Sequence, residues 1–175
     1  MVKRTSLASA DCPIARTLDV IGDWWSLLII RDALLGRRRF GEFQKSLGLA
    51  KNILTTRLRT LVDRGLLKMA PASDGSAYQE YVPTPKGRGI FPILVALRQW
   101  SEEFDEHPEE IATLLVDRDS GRPVKKLELH ASDGRLLGFG DTTLKGRPKS
   151  SLRARQPVRR SSTSEGGSNP QRQPR

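Results

Sequence analysis

Residues 40–67 constrain the fold of this chain more than any other stretch. They contain a short amphipathic segment, a break at Gly48, and a longer amphipathic segment over residues 50–64. At about 100° per residue, Leu54, Leu58 and Leu61 fall on one stripe of the longer segment, and polar and basic side chains fall opposite it. Two short helices joined by a glycine-containing turn predict a helix-turn-helix. The alternative is an ordinary helical hairpin whose outer face is polar only because it meets water.

Positive charge is concentrated on this stretch and at the C-terminus. The 175-residue chain has a net charge of +10. Residues 37–68 contain nine Lys or Arg and two acids, and residues 148–175 contain seven and one. A basic run alone is usually a solvated face, but one that coincides with a helix-turn-helix suits a phosphate backbone. The charge therefore favours nucleic-acid binding over the plain hairpin.

The candidate DNA contacts lie on the polar face of the second helix and just before the first. Asn52 is suited to an adenine edge and Arg59 to a guanine edge or a phosphate, whereas Lys51 is better placed for a phosphate. Arg57 lies at the edge of the buried stripe, so we expect it to pair with an acid inside the fold. The predicted DNA-binding residues are Arg37, Arg38, Arg39, Lys51, Asn52, Thr55, Thr56 and Arg59.

The segments on both sides extend the motif into a larger domain. Cys12-Pro13 begins one helix, and a second helix over residues 23–35 is expected to bury Trp24. After the motif, two apolar segments flank Asp74-Gly75, which is a hairpin turn signal. A hairpin directly after a helix-turn-helix is a wing, so the pattern predicts a winged helix-turn-helix.

A last helix begins near Thr84 and is expected to kink at Pro92. Its apolar stripe is too long to be covered by so small a domain, which predicts a dimer interface on an extended helix. The predicted interface residues are Leu94, Leu97, Trp100 and Phe104.

The fold class is therefore predicted as mostly α with an α+β character. A flexible N-terminal arm is predicted over residues 1–10, and the winged helix-turn-helix with its dimerisation helix over 11–106. Residues 107–147 are expected to form a small extension with strands, because a Ser-Asp-Gly turn at 132–134 lies between apolar segments. Residues 148–175 have the composition of a disordered basic tail.

Other protein classes are disfavoured by what the sequence lacks. Cys12 is the only cysteine, so an intrachain disulfide is impossible. The most apolar run is interrupted by Arg31 and Asp32 and is too short to span a bilayer, and the first residues have no signal-peptide core, which predicts a cytoplasmic protein. No residue spacing indicates a metal site, a cofactor or a catalytic pair, so we predict that the protein is not an enzyme.

A set of short motifs follows in uninterrupted order over residues 12–106: Cys12-Pro13, Leu18-Asp19-Val20-Ile21-Gly22, Trp24-Trp25, Arg39-Phe40-Gly41-Glu42-Phe43, Leu54-Thr55-Thr56-Arg57-Leu58, Leu61, Gly65-Leu66, Tyr81, Thr84 and Lys86-Gly87. In these motifs the chain resembles the HxlR family of winged helix-turn-helix transcription regulators. This resemblance implies a bacterial homodimer whose N- and C-terminal helices form the interface. It also implies that each recognition helix enters a major groove of an inverted repeat in double-stranded DNA. Many relatives have Ser where this chain has Ala50, which is a poor N-cap.

The resemblance further implies a redox, electrophile or metabolite signal, with Cys12 as a candidate redox sensor. A helix N-terminus favours a thiolate, but an inert thiol in the interface is the competing interpretation. The function we predict is a sequence-specific, homodimeric repressor that releases DNA when an oxidant or small-molecule effector changes its dimer geometry. The alternatives are a nonspecific architectural nucleic-acid-binding protein that relies on its basic tail, and an enzyme acting at the dimer cleft.

Overall fold

Helices and one two-stranded antiparallel sheet form a winged helix-turn-helix in the computed structural model, which describes residues 6–107 and 111–146. The predicted tail at 148–175 and the first half of the predicted N-terminal arm lie outside the described residues. In chain order the elements are α1 (Pro13–Ile21), α2 (Trp24–Leu34), α3 (Phe40–Leu47), α4 (Lys51–Asp63), β1 (Leu67–Pro71), β2 (Gln79–Pro83), α5 (Pro85–Arg88) and α6 (Phe91–Phe104). The predicted fold class is confirmed. No helix within the described ranges is long and apolar enough to cross a membrane.

The apolar stripe of α4 is the centre of the core. Leu54, Leu58 and Leu61 have no exposed surface, and they belong to one cluster with Phe43 of α3 and Ile30 of α2. The turn between α3 and α4 begins at Gly48, whose φ of 64° lies in the left-handed region that glycine adopts without strain. The helical periodicity therefore predicted both the buried stripe and the turn.

The wing is attached to the segment that precedes α3. β1 and β2 pair in antiparallel register from Leu67 opposite Pro83 to Pro71 opposite Gln79. The amide of Tyr81 in β2 also donates to the carbonyl of Arg38, at 2.8 Å. Because that bond joins β2 to the residue two positions before α3, the wing and the helix-turn-helix are one unit.

The chain after the wing differs from the single kinked helix that was predicted. The structure has two helices, α5 and α6, separated at Gly89 and Ile90, and Pro92 lies in the first turn of α6. Proline lacks an amide hydrogen and fits the first turn, where no such hydrogen is required, so the chain breaks before Pro92 and not at it. Thr84 does cap the first of these helices, because its hydroxyl accepts from the amide of Gly87 at 3.1 Å.

The expectation that α2 buries Trp24 is wrong. The Trp24 side chain is 75% exposed and touches its neighbour Trp25 edge to face, with ring centroids 6.3 Å apart. Ile29 and Ile30 occupy the core side of α2 instead. A helix that is apolar on most of its surface has no clear periodicity, so its inner face cannot be read from spacing alone.

Residues 111–146 divide between two compact units. Residues up to Leu127 belong with the helical domain, and the second unit begins at Glu128. Within the second unit the 132–134 turn is closed by a single antiparallel bridge between His130 and Leu136, and Phe139–Asp141 form one 3₁₀ turn. No side chain in residues 111–146 is fully buried. The predicted hairpin is therefore present as one bridge and not as a continuous strand ladder.

Candidate nucleic-acid interface

The outer face of α4 is mostly polar, with Ile53 as an exposed apolar side chain among its polar residues. Its exposed side chains include all five that the sequence assigned to DNA contact on this helix, namely Lys51, Asn52, Thr55, Thr56 and Arg59. This face lies opposite the buried leucine stripe, so the packing that fixes the helix also fixes which side chains face outward. The structure therefore brings these five residues together on one surface.

The two threonines on this face have their hydroxyl hydrogens already engaged. Thr55 donates to the carbonyl of Lys51 at 2.7 Å, and Thr56 donates to the carbonyl of Asn52 at 2.8 Å. A phosphate oxygen is only an acceptor, so neither hydroxyl can donate to a phosphate without breaking its helix bond. Their remaining capacity, which is to accept a hydrogen bond or to touch a thymine methyl, suits a base edge better than the backbone.

The longer polar side chains of this face are not hydrogen-bonded to the helix backbone in this way. Lys51, Asn52 and Arg59 make no side-chain hydrogen bond or ion pair to the rest of the described chain, so their donors are available to a ligand. Arg57 differs: its guanidinium lies 3.4 Å from the carboxylate of Asp23, which also caps α2. The predicted pairing of Arg57 with an internal acid is confirmed.

The first turn of α4 lacks a side-chain cap. Ala50 is the N-cap residue, with φ −60° and ψ 141°, and has no side-chain atom that could accept from the first amides. The initial amide hydrogens of a helix carry partial positive charge and need acceptors, which water or an anion can supply. The N-terminal end of α4 can therefore accommodate an anion such as a phosphate oxygen.

The arginines before α3 are held by the protein to different degrees. Arg37 lies 3.5 Å from the buried carboxylate of Asp32 and its side chain is 39% exposed. Arg38 donates to the carbonyls of Ala33 and Arg37, so its guanidinium closes the end of α2. The guanidinium of Arg37 is thus half-exposed and makes one ion pair, whereas that of Arg38 is bound to backbone carbonyls.

Arg39 is attached to the wing. Its guanidinium donates to Asp74 and, at 3.3 Å, to the hydroxyl of Ser76, and it lies 5.6 Å from the ring centre of Tyr78. The hydrogen bond to Asp74 raises the pKa of Arg39. The hydroxyl and amide of Ser76, followed by Arg39, lower the pKa of Asp74 to about 2. Both ions therefore stay charged, and they connect the start of α3 to the tip of the wing.

A second carboxylate fixes the same segment from the other side. Glu42 in the first turn of α3 accepts from the amides of Arg38 and Arg39, at 2.7 and 2.8 Å, and these bonds lower its pKa. Neither this carboxylate nor that of Asp74 was predicted from the sequence as a positioning group. An acid three residues after a helix start is a recognisable capping signal, but no spacing could connect Asp74 with Arg39, 35 residues away.

The predicted dimer residues of α6 have unequal environments. Leu97, Trp100 and Phe104 are 49%, 65% and 62% exposed, whereas Leu94 packs partly against the core. Beside this stripe, α1 and α6 border an apolar groove of about 400 Å³, whose walls include Ile14 of α1. A continuous apolar surface of this kind on a small domain is characteristic of a protein interface.

Cys12 lies at the start of α1, next to that groove. Its thiol is exposed, and Cys12 is the N-cap residue although its side chain makes no cap bond. The nearby Arg16 donates to the carbonyls of Ala10 and Asp11, at 2.7 and 3.3 Å, so its guanidinium is occupied by backbone oxygens. Lys3 and Arg4, which precede Cys12 in the sequence, lie outside the described residues.

Comparison with known proteins places this architecture among DNA-binding regulators. Residues 20–109 match the family model described as HxlR-like helix-turn-helix. An uncharacterized HTH-type transcriptional regulator of Mycobacterium tuberculosis is 41% identical over 96 residues, which are 55% of this chain and 61% of the relative. The chain thus spans less than two thirds of that relative's length. An uncharacterized HTH-type regulator of Synechocystis is 31% identical over 60% of this chain and 78% of its own.

Two solved structures share more of the chain. The crystal structure of PA1607, described as a candidate transcription factor, is 57% identical, with a TM-score of 0.76 over 81% of this chain and 99% of its own. PA1374 of Pseudomonas aeruginosa, described in the same terms, is 43% identical, with a TM-score of 0.55 over 79% of this chain and 94% of its own. The similarity to both extends over more of the chain than the family model covers.

Proposed function

The chain belongs to the HxlR-like helix-turn-helix family of transcriptional regulators, and from that premise we propose that it is a homodimeric repressor that reads an inverted-repeat operator with α4. The observation that carries the proposal is the outer face of α4. Lys51, Asn52 and Arg59 are exposed there and make no side-chain hydrogen bond or ion pair with the described chain, while Arg38 and Arg39 before α3 are bound to other parts of the fold. A rigid helix that presents free base-reading side chains suits sequence-specific recognition in the major groove.

The predicted contact residues divide into three roles, which are base contact, phosphate contact and positioning. Asn52, Arg59, Thr55 and Thr56 are assigned to base edges, because their free or accepting groups suit bases. Lys51 in the first turn and Arg37 are assigned to phosphates. Arg38 and Arg39, which the sequence suggested as phosphate contacts, are assigned instead to positioning: one closes the end of α2 and the other holds the wing.

The test of specificity is fluorescence anisotropy on the intergenic DNA upstream of the gene, against a scrambled duplex, at physiological salt. A sequence-specific regulator should prefer the cognate duplex by a factor of about a thousand or more. Deleting residues 148–175 should preserve that preference. If both duplexes bind equally and binding collapses without the tail, the protein is a nonspecific architectural binder.

Single substitutions then separate the two roles on α4. Arg59→Ala should weaken cognate binding by about 1–3 kcal/mol and reduce the preference over scrambled DNA. Lys51→Ala should weaken binding to both duplexes and lower the slope of log K against log salt by about 1. Arg118→Ala removes one charge from an exposed arginine of the extension and serves as the matched control. Unchanged cognate affinity in Arg59→Ala would remove this residue from the reading surface.

The dimer is proposed to form through the exposed stripe of α6 and the α1 groove. Two half-sites about one helical turn apart require two recognition helices with a fixed separation, which a symmetric dimer provides. Leu97→Glu should produce a monomer in sedimentation experiments and lose most cognate affinity. Leu144→Glu introduces the same charge at an apolar side chain that is more exposed than Leu97, at 101% against 49%, but lies in the second unit, and it should leave the dimer intact. Two monomeric or two dimeric variants would contradict this interface.

Cys12 is proposed as the signal-responsive group of the repressor. Diamide would remove two hydrogens from the Cys12 thiols of two protomers and join them in an intersubunit disulfide beside the α1–α6 groove. The altered dimer would then release its operator. Cys12→Ser should bind DNA normally and keep binding it in diamide. If the mutant and the wild type release DNA alike, Cys12 is an inert thiol and the signal acts elsewhere.

A further inference from the structure

A second cavity lies between α2 and α6 and is separate from the α1–α6 groove. It encloses about 420 Å³ and has apolar walls that include Leu34 of α2, Leu94 of α6 and Leu115 of the extension. Leu115, which forms the third of these walls, lies beyond residue 109, where the match to the family model ends. The extension therefore completes a space that the shared winged helix-turn-helix region would leave open on that side.

The segment that carries Leu115 is held against α6 by a set of directional contacts. Arg98 donates to the carbonyl of Thr113 and, at 3.2 Å, to its hydroxyl. Gln99 donates to the carbonyl of Lys125 at 3.0 Å and accepts from the amide of Leu127 at 2.8 Å. The two ends of the segment are thus attached to consecutive residues of α6, so the third wall of the cavity has a defined position.

Two arginines border this otherwise apolar space. Arg31 uses two guanidinium hydrogens on Asp32, and Arg98 uses three on Glu102 and Thr113, which leaves three and two hydrogens for a ligand. Asp32 also lies 3.5 Å from Arg37. Arg31, Arg37 and Arg98, taken together with Asp32 and Glu102, therefore have a net charge of +1. The side chains of Arg31 and Arg98 are 44% and 28% exposed, so both reach water from the edge of the apolar walls.

The cavity is also well placed to influence both functional surfaces. On one side, α2 packs against α3 and α4, which form the helix-turn-helix. On the other side, α6 carries the exposed stripe of Leu97, Trp100 and Phe104. A ligand that fills the cavity would fix the separation of α2 and α6, and hence the relation between the DNA-reading helix and the proposed dimer helix.

We propose that this cavity is an effector site for a small amphipathic monocarboxylate, bound with its apolar body between Leu34, Leu94 and Leu115 and its carboxylate on Arg31 and Arg98. Planar guanidinium groups match carboxylate geometry, and apolar walls with a few polar groups are typical of small-molecule sites. The binding site is inferred from the cavity alone, whereas its regulatory role rests on the proposed function above.

The test begins without DNA, so that it does not depend on the proposed operator. Octanoate, octan-1-ol and octylammonium are titrated into the full-length protein by calorimetry. Octanoate should bind saturably, once per chain, and about tenfold or more tighter than octan-1-ol, because only the carboxylate forms charge-assisted hydrogen bonds with the two guanidinium groups. Octylammonium should not bind. Equal affinity for the acid and the alcohol, or binding of octanoate without saturation, would overturn the site.

A pair of substitutions on adjacent residues locates the binding. Leu115→Trp should fill the cavity and lower the affinity for octanoate by about tenfold or more. Leu114→Trp adds the same ring at a neighbouring side chain that is 74% exposed and does not line the cavity, so its affinity should be unchanged. Equal affinities in the two variants would overturn the location. If Leu115→Trp fails to fold, the comparison of octanoate with octan-1-ol on the wild type still decides the proposal.

The regulatory role needs a separate measurement. Operator affinity is measured by anisotropy with and without saturating octanoate, and it should change in the wild type and in Leu114→Trp but not in Leu115→Trp. If octanoate binds and the operator affinity does not move, the regulatory part of the proposal is overturned. A protein that binds octanoate but prefers no DNA sequence would contradict the proposed function and leave the binding site intact.

Discussion

Replacing Ala50 tests how the recognition helix begins. Ala50 occupies the N-cap of α4 with an extended backbone, φ −60° and ψ 141°, which is the conformation that a capping Ser or Thr adopts. Its side chain is exposed, so a larger residue meets no core. Ala50→Thr would place a hydroxyl where it can accept from an amide of the first turn. Ala50→Val has nearly the same shape and no acceptor, so the difference between the two variants isolates the hydrogen bond.

The expected difference can be estimated from the structure. The existing cap residue supplies no acceptor, so the full effect of a cap, about 1 kcal/mol within a range of about 0.5–2, should appear in the free energy of unfolding. For a domain of this size that corresponds to a rise in Tm of roughly 4 °C of the Thr variant over the Val variant. Both variants are measured by urea and thermal unfolding, followed by circular dichroism.

The control repeats the pair at Ala77, an exposed residue of the wing loop that does not begin a helix. Ala77→Thr and Ala77→Val should unfold with equal free energies. If the two variants at Ala50 are also equal, the amides of the first turn already have protein acceptors, and the uncapped start of α4 is refuted. A stabilised Ala50→Thr should retain operator binding with altered affinity, because the new hydroxyl competes with a DNA phosphate for the same amide.

Three further predictions follow from close contacts and charges. Gly87→Ala should lower the free energy of unfolding, measured by urea titration, by roughly 2–4 kcal/mol, because the new Cβ would lie 2.1 Å from the carbonyl oxygen of Leu66. Gly41→Ala is the control: its Cβ meets nothing within 4 Å, so this variant should be neutral or slightly stabilised. Leu58→Ala, at a side chain with no exposed surface, should cost about 2–5 kcal/mol of unfolding free energy, and a loss below about 1 kcal/mol would contradict its place in the core. Folding lowers the pKa of Asp74 from its ordinary value of 3.8 to about 2. The ionised carboxylate therefore stabilises the fold at pH values above its ordinary pKa, and this stabilisation is lost as the pH falls through about 2. Asp74→Asn should therefore show a shallower loss of stability than the wild type between these two pKa values, and parallel pH profiles would contradict the contacts of Asp74 with Ser76 and Arg39.

The helix-turn-helix was predictable because its signals are local. The spacing of Leu54, Leu58 and Leu61 sets the inner face of α4, and a helix with one inner face has one outer face. Gly48 marks the turn because few other residues adopt a positive φ, and Asp74-Gly75 marks the wing for the same reason. These constraints act within a few residues, so they can be read from the sequence alone.

The role of each arginine required the tertiary structure. Arg37, Arg38, Arg39 and Arg59 look alike in a sequence, because all lie in one basic stretch. Only the fold shows that Arg39 meets Asp74, 35 residues away, while Arg59 has no partner in the described chain. Salt bridges and hydrogen bonds depend on distances of a few ångströms between distant parts of the chain, and no periodicity encodes them.

The sequence by itself determined the class of protein, the helix-turn-helix and the face that α4 presents outward. The tertiary structure decided which charges on that surface are free, where the chain breaks before Pro92, and that Leu115 completes a cavity between α2 and α6. The first group follows from local periodicity and backbone preferences, which each segment carries with it. The second follows from the packing of segments that are far apart in the chain, which exists only after folding.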